Sequence, residues 1–152
     1  MAKEISPSEL SQRVAVIKRF RELLKAQRDR FQVYLNTLDR QKEVIERGTA
    51  EDLLRHVEME EKIVEDIFSI QRVIDPLELM YNSVKKDDEV SSLKGVLEGL
   101  KTEAVTRSER NRDLLTRRME EIRSEIKSLK NNAYSRRNFK PEPSPSLVDI
   151  RG

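Results

Sequence analysis

Residues 10–45 read LSQRVAVIKRFRELLKAQRDRFQVYLNTLDRQKEVI. In this stretch an apolar residue stands at every seventh position without a break, and the set is Leu10, Ile17, Leu24, Phe31, Leu38 and Ile45. A seven-residue apolar repeat returns a side chain to the same face of an α-helix every two turns, which is typical of a helix that packs along a narrow seam. The stretch therefore predicts one helix over about 8–47, roughly 60 Å long at about 1.5 Å per residue.

The composition of the whole chain favours the same class of structure. Charged residues make up 38% of the 152 residues, well above the roughly 25% of an average soluble protein. The chain has four glycines and five prolines, and three of those prolines are Pro141, Pro143 and Pro145. A sandwich, a barrel or a doubly wound sheet needs more turns than these residues can mark. We therefore predict an all-α fold, an elongated antiparallel three-helix bundle or coiled coil.

A second helix follows the first after a short connection. Gly48 ends the first helix, and Thr49-Ala50-Glu51-Asp52 has the form of a capping box that starts a helix over about 50–74. Pro76 either ends this second helix or lies within a continuation to about residue 84. Because the connection is short, the first two helices are predicted to pack antiparallel.

A third helix is predicted over 91–131, in two amphipathic halves. Between the halves, residues 106–113 contain no apolar side chain. The residues that follow the helix are rich in proline and serine, and such a composition cannot bury enough apolar surface to form a core. The predicted organisation is a helical bundle over 1–131 and a flexible, disordered tail over 132–152.

The charges of the chain are numerous but balanced. Lys and Arg total 30 and Asp and Glu total 28, which gives a formal net charge of +2. Acids and bases alternate closely along the predicted helices, which indicates a solvated helical surface and not the one-sided basic stripe of a nucleic-acid-binding protein. We therefore expect no nucleic-acid partner.

Signals for catalysis, metal binding and membrane insertion are weak. The chain lacks cysteine, which excludes Cys-ligated zinc and thiol catalysis. Its single histidine is His56, and a zinc site built on it would lack a second histidine or cysteine ligand. It has no glycine-rich phosphate loop, no run of about 18 apolar residues and no signal-peptide core. We expect a cytoplasmic protein that is not an enzyme, does not insert into membranes, and needs no metal or cofactor.

Four features follow one another along the chain. The Leu53-Leu54 pair follows the capping box, Asn111-Arg112-Asp113-Leu114-Leu115 lies in the third helix, Tyr134 follows that helix, and Ser146-Leu147-Val148-Asp149 lies in the tail. In this order they resemble the FlgN family, the cytosolic chaperones of the flagellar type III export system. The resemblance covers nearly the whole chain. It departs from the family pattern where Ser135-Arg136-Arg137-Asn138 takes the place of a glycine expected shortly after the tyrosine.

The resemblance implies a binding protein and not a catalyst. Members of the FlgN family hold the hook-associated proteins of the hook–filament junction, of the FlgK and FlgL types, through an amphipathic C-terminal helix. They deliver these clients to the platform protein of the export gate, FlhA. Carried over to this sequence, the gate contact is Tyr134. The client-binding residues are Leu114, Leu115, Met119, Ile122, Ile126 and Leu129.

A competing interpretation remains open from the residues themselves. The apolar stripe in the second half of the third helix has no obvious partner if the second helix ends near residue 75, which suits recognition of another helix. A structural coiled coil or spacer with no secretion client would instead bury this stripe in its own bundle or in a homodimer. The two interpretations differ in one observable, because a chaperone exposes the stripe when it is free and a spacer covers it.

Overall fold

The structure, a computed structural model, describes residues 6–82 and 87–139, with side chains up to residue 133. These residues form three α-helices: α1 spans Pro7–Arg47, α2 spans Ala50–Tyr81 and α3 spans Asp88–Phe139. Helix accounts for 96% of the described residues, and none of them is in a strand. The predicted all-α class is therefore confirmed. Over the same residues, no helix offers an apolar stretch that could span a membrane.

Helices α1 and α2 begin at the capping signals of the sequence. Ser6 is the N-cap of α1, where its Oγ accepts a hydrogen bond from the Glu9 backbone N–H at 3.2 Å, and Pro7 occupies the first turn. Thr49 is the N-cap of α2: its Oγ1 accepts from the Asp52 N–H at 3.1 Å, and the Asp52 carboxylate accepts from the Thr49 N–H at 3.4 Å. These caps satisfy donors that the start of a helix leaves unpaired.

Helix α2 continues through Pro76 and ends at Tyr81, so the continuation that the sequence left open is formed. A proline inside a helix removes one backbone hydrogen bond and costs about 3 kcal/mol. The turn beyond it is held by Tyr81, which is buried and stacks on Phe20 with the ring centroids 5.0 Å apart. This aromatic packing stabilises the turn that follows the proline.

Helix α3 begins at Asp88 and continues past Asn131 to Phe139, beyond the end that the sequence pattern predicts. No glycine or proline occurs between Asn131 and Phe139, and the next strong helix breaker is Pro141. A proline disfavours helical geometry at the residue before it, so the helix has no local reason to end earlier. The remainder of the predicted tail, 140–152, lies outside the described residues.

The chain divides into two compact units, Met1–Leu114 and Leu115–Gly152. The first unit holds α1, α2 and the beginning of α3, and the second holds the rest of α3. The hydrophobic core lies in the first unit. Its buried members are Phe20, Leu23, Leu24, Phe31, Leu35, Ile63, Ile67, Ile74, Tyr81, Val90, Leu93, Leu97 and Ala104.

In the first unit, α1 and α2 run antiparallel. The side-chain amide of Gln27 donates to the backbone oxygen of Ile67 at 3.0 Å, whereas that of Gln41, later in α1, donates to Glu60, earlier in α2, at 2.8 Å. Pairs in which one residue number rises while the other falls define an antiparallel alignment. The short Gly48–Thr49 connection predicts this geometry, and the structure has it.

The first part of α3 runs parallel to α1 and antiparallel to α2. Arg21 contacts Asp87, directly before α3, and Asp39, later in α1, contacts Arg107, later in α3, with N–O distances of 2.6 and 2.9 Å. The first unit is therefore a three-helix bundle in which successive helices alternate in direction, in agreement with the predicted architecture.

The seven-residue repeat of α1 contributes to the core over part of its length. Its buried members are Leu24, Phe31, Leu38 and Ile45. Leu10, in contrast, is 55% exposed. Because α2 ends at Tyr81, beside Phe20, the first turns of α1 extend past the end of their antiparallel neighbour.

Candidate functional site

The second unit carries an apolar face along α3. Its members are separated by steps of four, three, four and three residues: Leu115, Met119, Ile122, Ile126 and Leu129. Alternating steps of four and three keep side chains on one side of a helix, in the narrow arrangement by which two helices pair. These five residues are named the α3 seam.

Most of the α3 seam is open to solvent. Met119 is 47% exposed, Ile122 41%, Ile126 49% and Leu129 68%, while Leu115 is partly buried. A single exposed apolar side chain is common on a protein surface, but a continuous row of them is typical of a surface that another molecule covers. The exposure is what the chaperone interpretation predicts for the free protein.

The structure separates the remaining predicted site residues from this face. Leu114 belongs to the first unit and is partly buried there. One residue corresponds to about 100° around a helix, so Leu114 lies to the side of the α3 seam that begins at Leu115. Tyr134 lies within α3, but its side chain is outside the described part, as is the apolar cluster 147–150 of the tail.

The two edges of the α3 seam differ in charge. The basic edge consists of Arg123 and Lys130, directly beside the seam; Glu120 and Lys127 lie farther around the helix on the same side. The mixed edge consists of Arg118, Glu121 and Glu125. Within the mixed edge, Arg118 Nη1 lies 3.4 Å from Glu121 Oε2. The basic edge, in contrast, forms no ion pair within 4.0 Å among the residues whose side chains are described.

A buried polar cluster joins the three helices in the first unit. Asn111 is 3% exposed, and its side-chain amide donates to the Leu38 backbone oxygen at 2.7 Å and to Gln41 Oε1 at 3.0 Å. The amide of Gln41 donates in turn to Glu60 Oε2 at 2.8 Å, and Glu60 Oε1 accepts from the Tyr34 hydroxyl at 3.2 Å. The cluster therefore runs from α3 through α1 to α2.

The sequence interpretation missed this cluster because residues 106–113 lack apolar side chains. A second seven-residue repeat identifies it, since Val90, Leu97, Ala104 and Asn111 follow one another at that spacing and all four are buried. A polar residue at one position of a buried seven-residue repeat fixes the alignment of the packed helices, because its hydrogen bonds form in only one register. The polar middle of α3 is therefore packed against α1, through the hydrogen bonds of Asn111 to Leu38 and Gln41.

Asn111 also begins the Asn-x-x-Leu-Leu part of the FlgN resemblance. The first and last residues of this motif lie in different units of the structure. Asn111 is buried in the first unit, whereas Leu115 starts the α3 seam in the second. The asparagine in this motif therefore contributes to the fold, and the second leucine contributes to the candidate site.

The basic stretch around Asn111 is paired with carboxylates of the same chain. Arg107 Nη1 lies 2.9 Å from Asp39 Oδ2, and Arg110 Nη2 lies 3.1 Å from Asp39 Oδ1. Arg107 Nε is also 2.9 Å from Glu103. Partly exposed pairs of this kind contribute at most about 1 kcal/mol each, and here they align α3 with α1 beside the buried amide.

At the other end of the first unit, Asp87 contacts all three helices. Its carboxylate accepts hydrogen bonds from Arg21 Nη2 and Nε at 2.6 and 3.0 Å and from the Val90 N–H, at the start of α3, at 3.1 Å. Its own N–H donates to the Tyr81 hydroxyl at 2.7 Å. The hydrogen bonds from the Arg21 guanidinium hold the pKa of the Asp87 carboxyl below its usual value.

The Tyr34 hydroxyl belongs to the buried polar cluster of the first unit. Burial raises the pKa of the Tyr34 hydroxyl, and the charge of Glu60 raises it further, so Tyr34 stays protonated and donates to Glu60 at neutral pH. Tyr34 also lines an open groove of about 480 Å³ together with Phe31 and Val105. Among the described residues, no group of three His, Cys, Asp or Glu side chains is placed to hold a metal ion.

Comparison with known proteins gives one informative match. The chain is 33% identical over 123 residues to an uncharacterized protein of Treponema pallidum (strain Nichols), and the match covers 80% of this chain and 80% of that protein. No protein-family model matches the chain. No solved structure matches it with significance.

Proposed function

The chain belongs to the same family as the Treponema pallidum protein, and we propose, from the surface of the chain itself, that it is a flagellar export chaperone of the FlgN type. In this proposal the α3 seam holds a hook-associated protein of the FlgK or FlgL type in the cytoplasm. The chain then delivers that client to the export-gate protein FlhA. It acts by binding, without catalysis and without a cofactor.

The observation that supports this proposal is the exposure of the α3 seam. Apolar surface removed from water contributes about 25 cal/mol per Å², so four exposed side chains in one row favour association. Their alternating spacing suits a partner that is itself an amphipathic helix, because such a helix offers a complementary row. Met119, Ile122, Ile126 and Leu129 supply this surface.

The distribution of the core supports the same conclusion. The buried apolar cluster contains residues from Phe20 to Ala104, and none of the α3 seam residues belongs to it. Changes in the seam should therefore leave the first unit folded. A surface of this kind is available for a partner.

A structural coiled coil or spacer is the competing function. It requires that the α3 seam be covered by the protein's own helices or by a second copy. In the single chain the seam is exposed, which leaves the homodimer as the form in which a spacer would cover it. The oligomeric state of the wild-type protein therefore belongs in the test.

The proposal is tested by calorimetric titration of the full chain with the terminal segment of a FlgK-type client. We expect the wild type to bind and Ile122→Asp combined with Ile126→Asp to lose binding, because the partner would have to bury two unpaired charges. The matched control combines Val14→Asp with Leu54→Asp, two exposed apolar residues outside α3. The control should bind like the wild type.

Thermal melts and sedimentation of each sample distinguish the alternatives. A monomeric wild type and a folded double variant that no longer binds are the results that the proposal requires. Failure of the wild type to bind either a FlgK- or a FlgL-type client would refute the chaperone function. A wild-type dimer that Ile122→Asp with Ile126→Asp separates or unfolds would favour the spacer.

Delivery to the gate is tested separately at Tyr134. The Tyr134→Ala variant should bind the client with unchanged affinity and should lose capture by FlhA. The Tyr134→Phe variant shows whether the aromatic ring without its hydroxyl is sufficient for capture by FlhA. Equal capture of wild type and Tyr134→Ala would show that this residue is not the gate contact.

A further inference from the structure

The charges beside the α3 seam form two rows. With Met119 and Ile126 at a positions of the heptad, Arg123 and Lys130 both occupy the e position, adjacent to the seam on one side. No acidic residue occupies an e position beside the seam, whereas Glu125 occupies the g position on the other side. Residues at e and g set which helix pairs with a seam and in which orientation.

We propose that the basic edge selects a partner helix that carries carboxylates along the edge facing Arg123 and Lys130. This inference rests on the proposed function, since it concerns the helix that the α3 seam holds. Arg123 and Lys130 are specificity-determining residues in it, and the apolar seam supplies the common affinity. The Glu125 side of the seam would face a neutral or basic edge of the same helix.

The state of these side chains in the free protein supports a partner with opposite charge. Arg123 and Lys130 are exposed and form no ion pair among the described side chains, in contrast to Arg107 and Arg110, which both pair with Asp39. Basic groups without a partner in their own chain are available for carboxylates of another. Complementary charges beside an apolar contact mainly provide specificity and a higher association rate.

A second copy of this chain fits the charges of the seam less well than a helix with an acidic edge does. In a parallel pair, g residues of one helix face e residues of the other, which places Arg118 opposite Arg123 of the second copy and Glu125 opposite Lys130, one pair of like and one of opposite charges. In an antiparallel pair, e faces e, which places the basic edge opposite itself. Each orientation therefore sets at least one of the two basic residues, Arg123 or Lys130, against a like charge, whereas a helix with an acidic edge sets both against opposite charges.

An anionic membrane also fits poorly. Helices that lie on such membranes carry basic residues around their polar face, with the apolar side in the lipid. Here Glu121 and Glu125 flank the seam on one side and would lie against the anionic headgroups. The sign change across the seam favours a protein helix.

The test reverses the basic edge and leaves the seam intact. Arg123→Glu combined with Lys130→Glu is titrated against the FlgK-type client segment, beside the wild type and the Ile122→Asp, Ile126→Asp variant. The control combines Arg55→Glu with Arg117→Glu, which changes the net charge equally; Arg55 is exposed on α2, and Arg117 lies on the opposite side of α3 from the seam. We expect roughly tenfold weaker binding for the reversed edge at low salt, a smaller difference at high salt, and little change in the control.

A charge exchange makes the test decisive. A client segment with its acidic edge replaced by lysine should bind the wild type weakly and the Arg123→Glu, Lys130→Glu variant well. If the wild type binds, the seam variant does not, and the reversed edge behaves like the control, this inference is overturned while the chaperone function stands. A wild type that binds no client overturns both.

Two further measurements test whether the basic edge binds a different partner, a membrane or a second copy of the chain. Co-sedimentation of the wild type with phosphatidylserine–phosphatidylcholine vesicles, abolished by the reversed edge, would show that the edge binds a membrane. A wild-type dimer that the reversed edge strengthens or separates would show that it faces a second copy. Each of these results would overturn the assignment to an acidic client helix.

Discussion

Arg21 and Asp87 lie 66 residues apart in the sequence and share two hydrogen bonds, from Nη2 to Oδ1 at 2.6 Å and from Nε to Oδ2 at 3.0 Å. The same carboxylate accepts from the Val90 N–H, and the Asp87 N–H donates to the Tyr81 hydroxyl. One residue therefore connects α1, the end of α2 and the start of α3. The negative charge of Asp87 is therefore expected to stabilise this end of the three-helix bundle.

The contribution of that charge should disappear in acid. Arg21 lowers the pKa of Asp87 in the folded protein, so the unfolded chain takes up the proton first as the pH falls. The stabilisation is complete above the unfolded pKa, about 3.9, and is lost as the pH falls through the lower folded value. Urea unfolding of wild type and Asp87→Asn should differ at pH 7 and converge in strong acid. A difference that stays constant down to about pH 2 would show that the charge is not its cause.

Leu24 should be among the most costly positions to truncate. It is 3% exposed and belongs to the core of the first unit. Leu24→Ala is expected to reduce the free energy of unfolding by about 2–5 kcal/mol, through lost burial and the cavity left behind. Gln32→Ala, at an exposed position of the same helix, is the control for denaturant unfolding. Equal midpoints for the two variants would contradict the assigned core face.

Asn111→Ala should destabilise the protein although it removes no large apolar group. The change deletes the donor to the Leu38 oxygen and leaves Gln41 Oε1 without that bond in a buried site. An unsatisfied buried polar group costs about 1–3 kcal/mol. Asn36→Ala, on the exposed side of α1, should change stability far less. Comparable chemical unfolding curves for both variants would mean that the buried cluster contributes little.

Gly95 and Gly99 should be positions where alanine stabilises the protein. A Cβ built on either glycine meets no heavy atom within 4 Å, so alanine fits without strain. Each replacement should add about 0.5–1 kcal/mol, because glycine is more mobile than alanine in the unfolded chain. Gly48→Ala is the informative contrast, since its Cβ would lie 2.8 Å from the Val44 oxygen. The midpoint temperature of thermal unfolding should rise for Gly95→Ala and Gly99→Ala and fall for Gly48→Ala.

Local signals were sufficient to predict where two of the helices begin. Ser6 and Thr49 cap α1 and α2 through side chains within three residues of the backbone donors that they satisfy. Such contacts are encoded in adjacent residues. Helix α2 passes through Pro76 and ends at Tyr81, which stacks on Phe20, a contact between residues 61 apart that no local pattern contains.

The helical face from Leu115 to Leu129 could be predicted from the sequence, whereas its exposure could not, and the predicted Leu114 lies to the side of that face. The spacing from Leu115 to Leu129 defines one face of a helix, and the structure places these residues on that face. Whether another helix covers a face depends on the whole fold, so the exposure of Ile122 and Ile126 had to come from the structure. Asn111 was missed for a related reason, because a buried amide is favourable only when distant partners are in place.

The continuity of α3 across both units affects how the seam meets a partner. An isolated segment of this length would have to nucleate its first turn, an unfavourable step with an equilibrium factor of about 10⁻³. Residues after Leu115 instead extend a helix whose earlier turns are fixed by Val90, Leu97 and Asn111 in the first unit. Propagation from an existing helix avoids the nucleation step. Under the proposed function, a partner helix would meet a surface that is already helical, so less conformational entropy would be lost when the two associate.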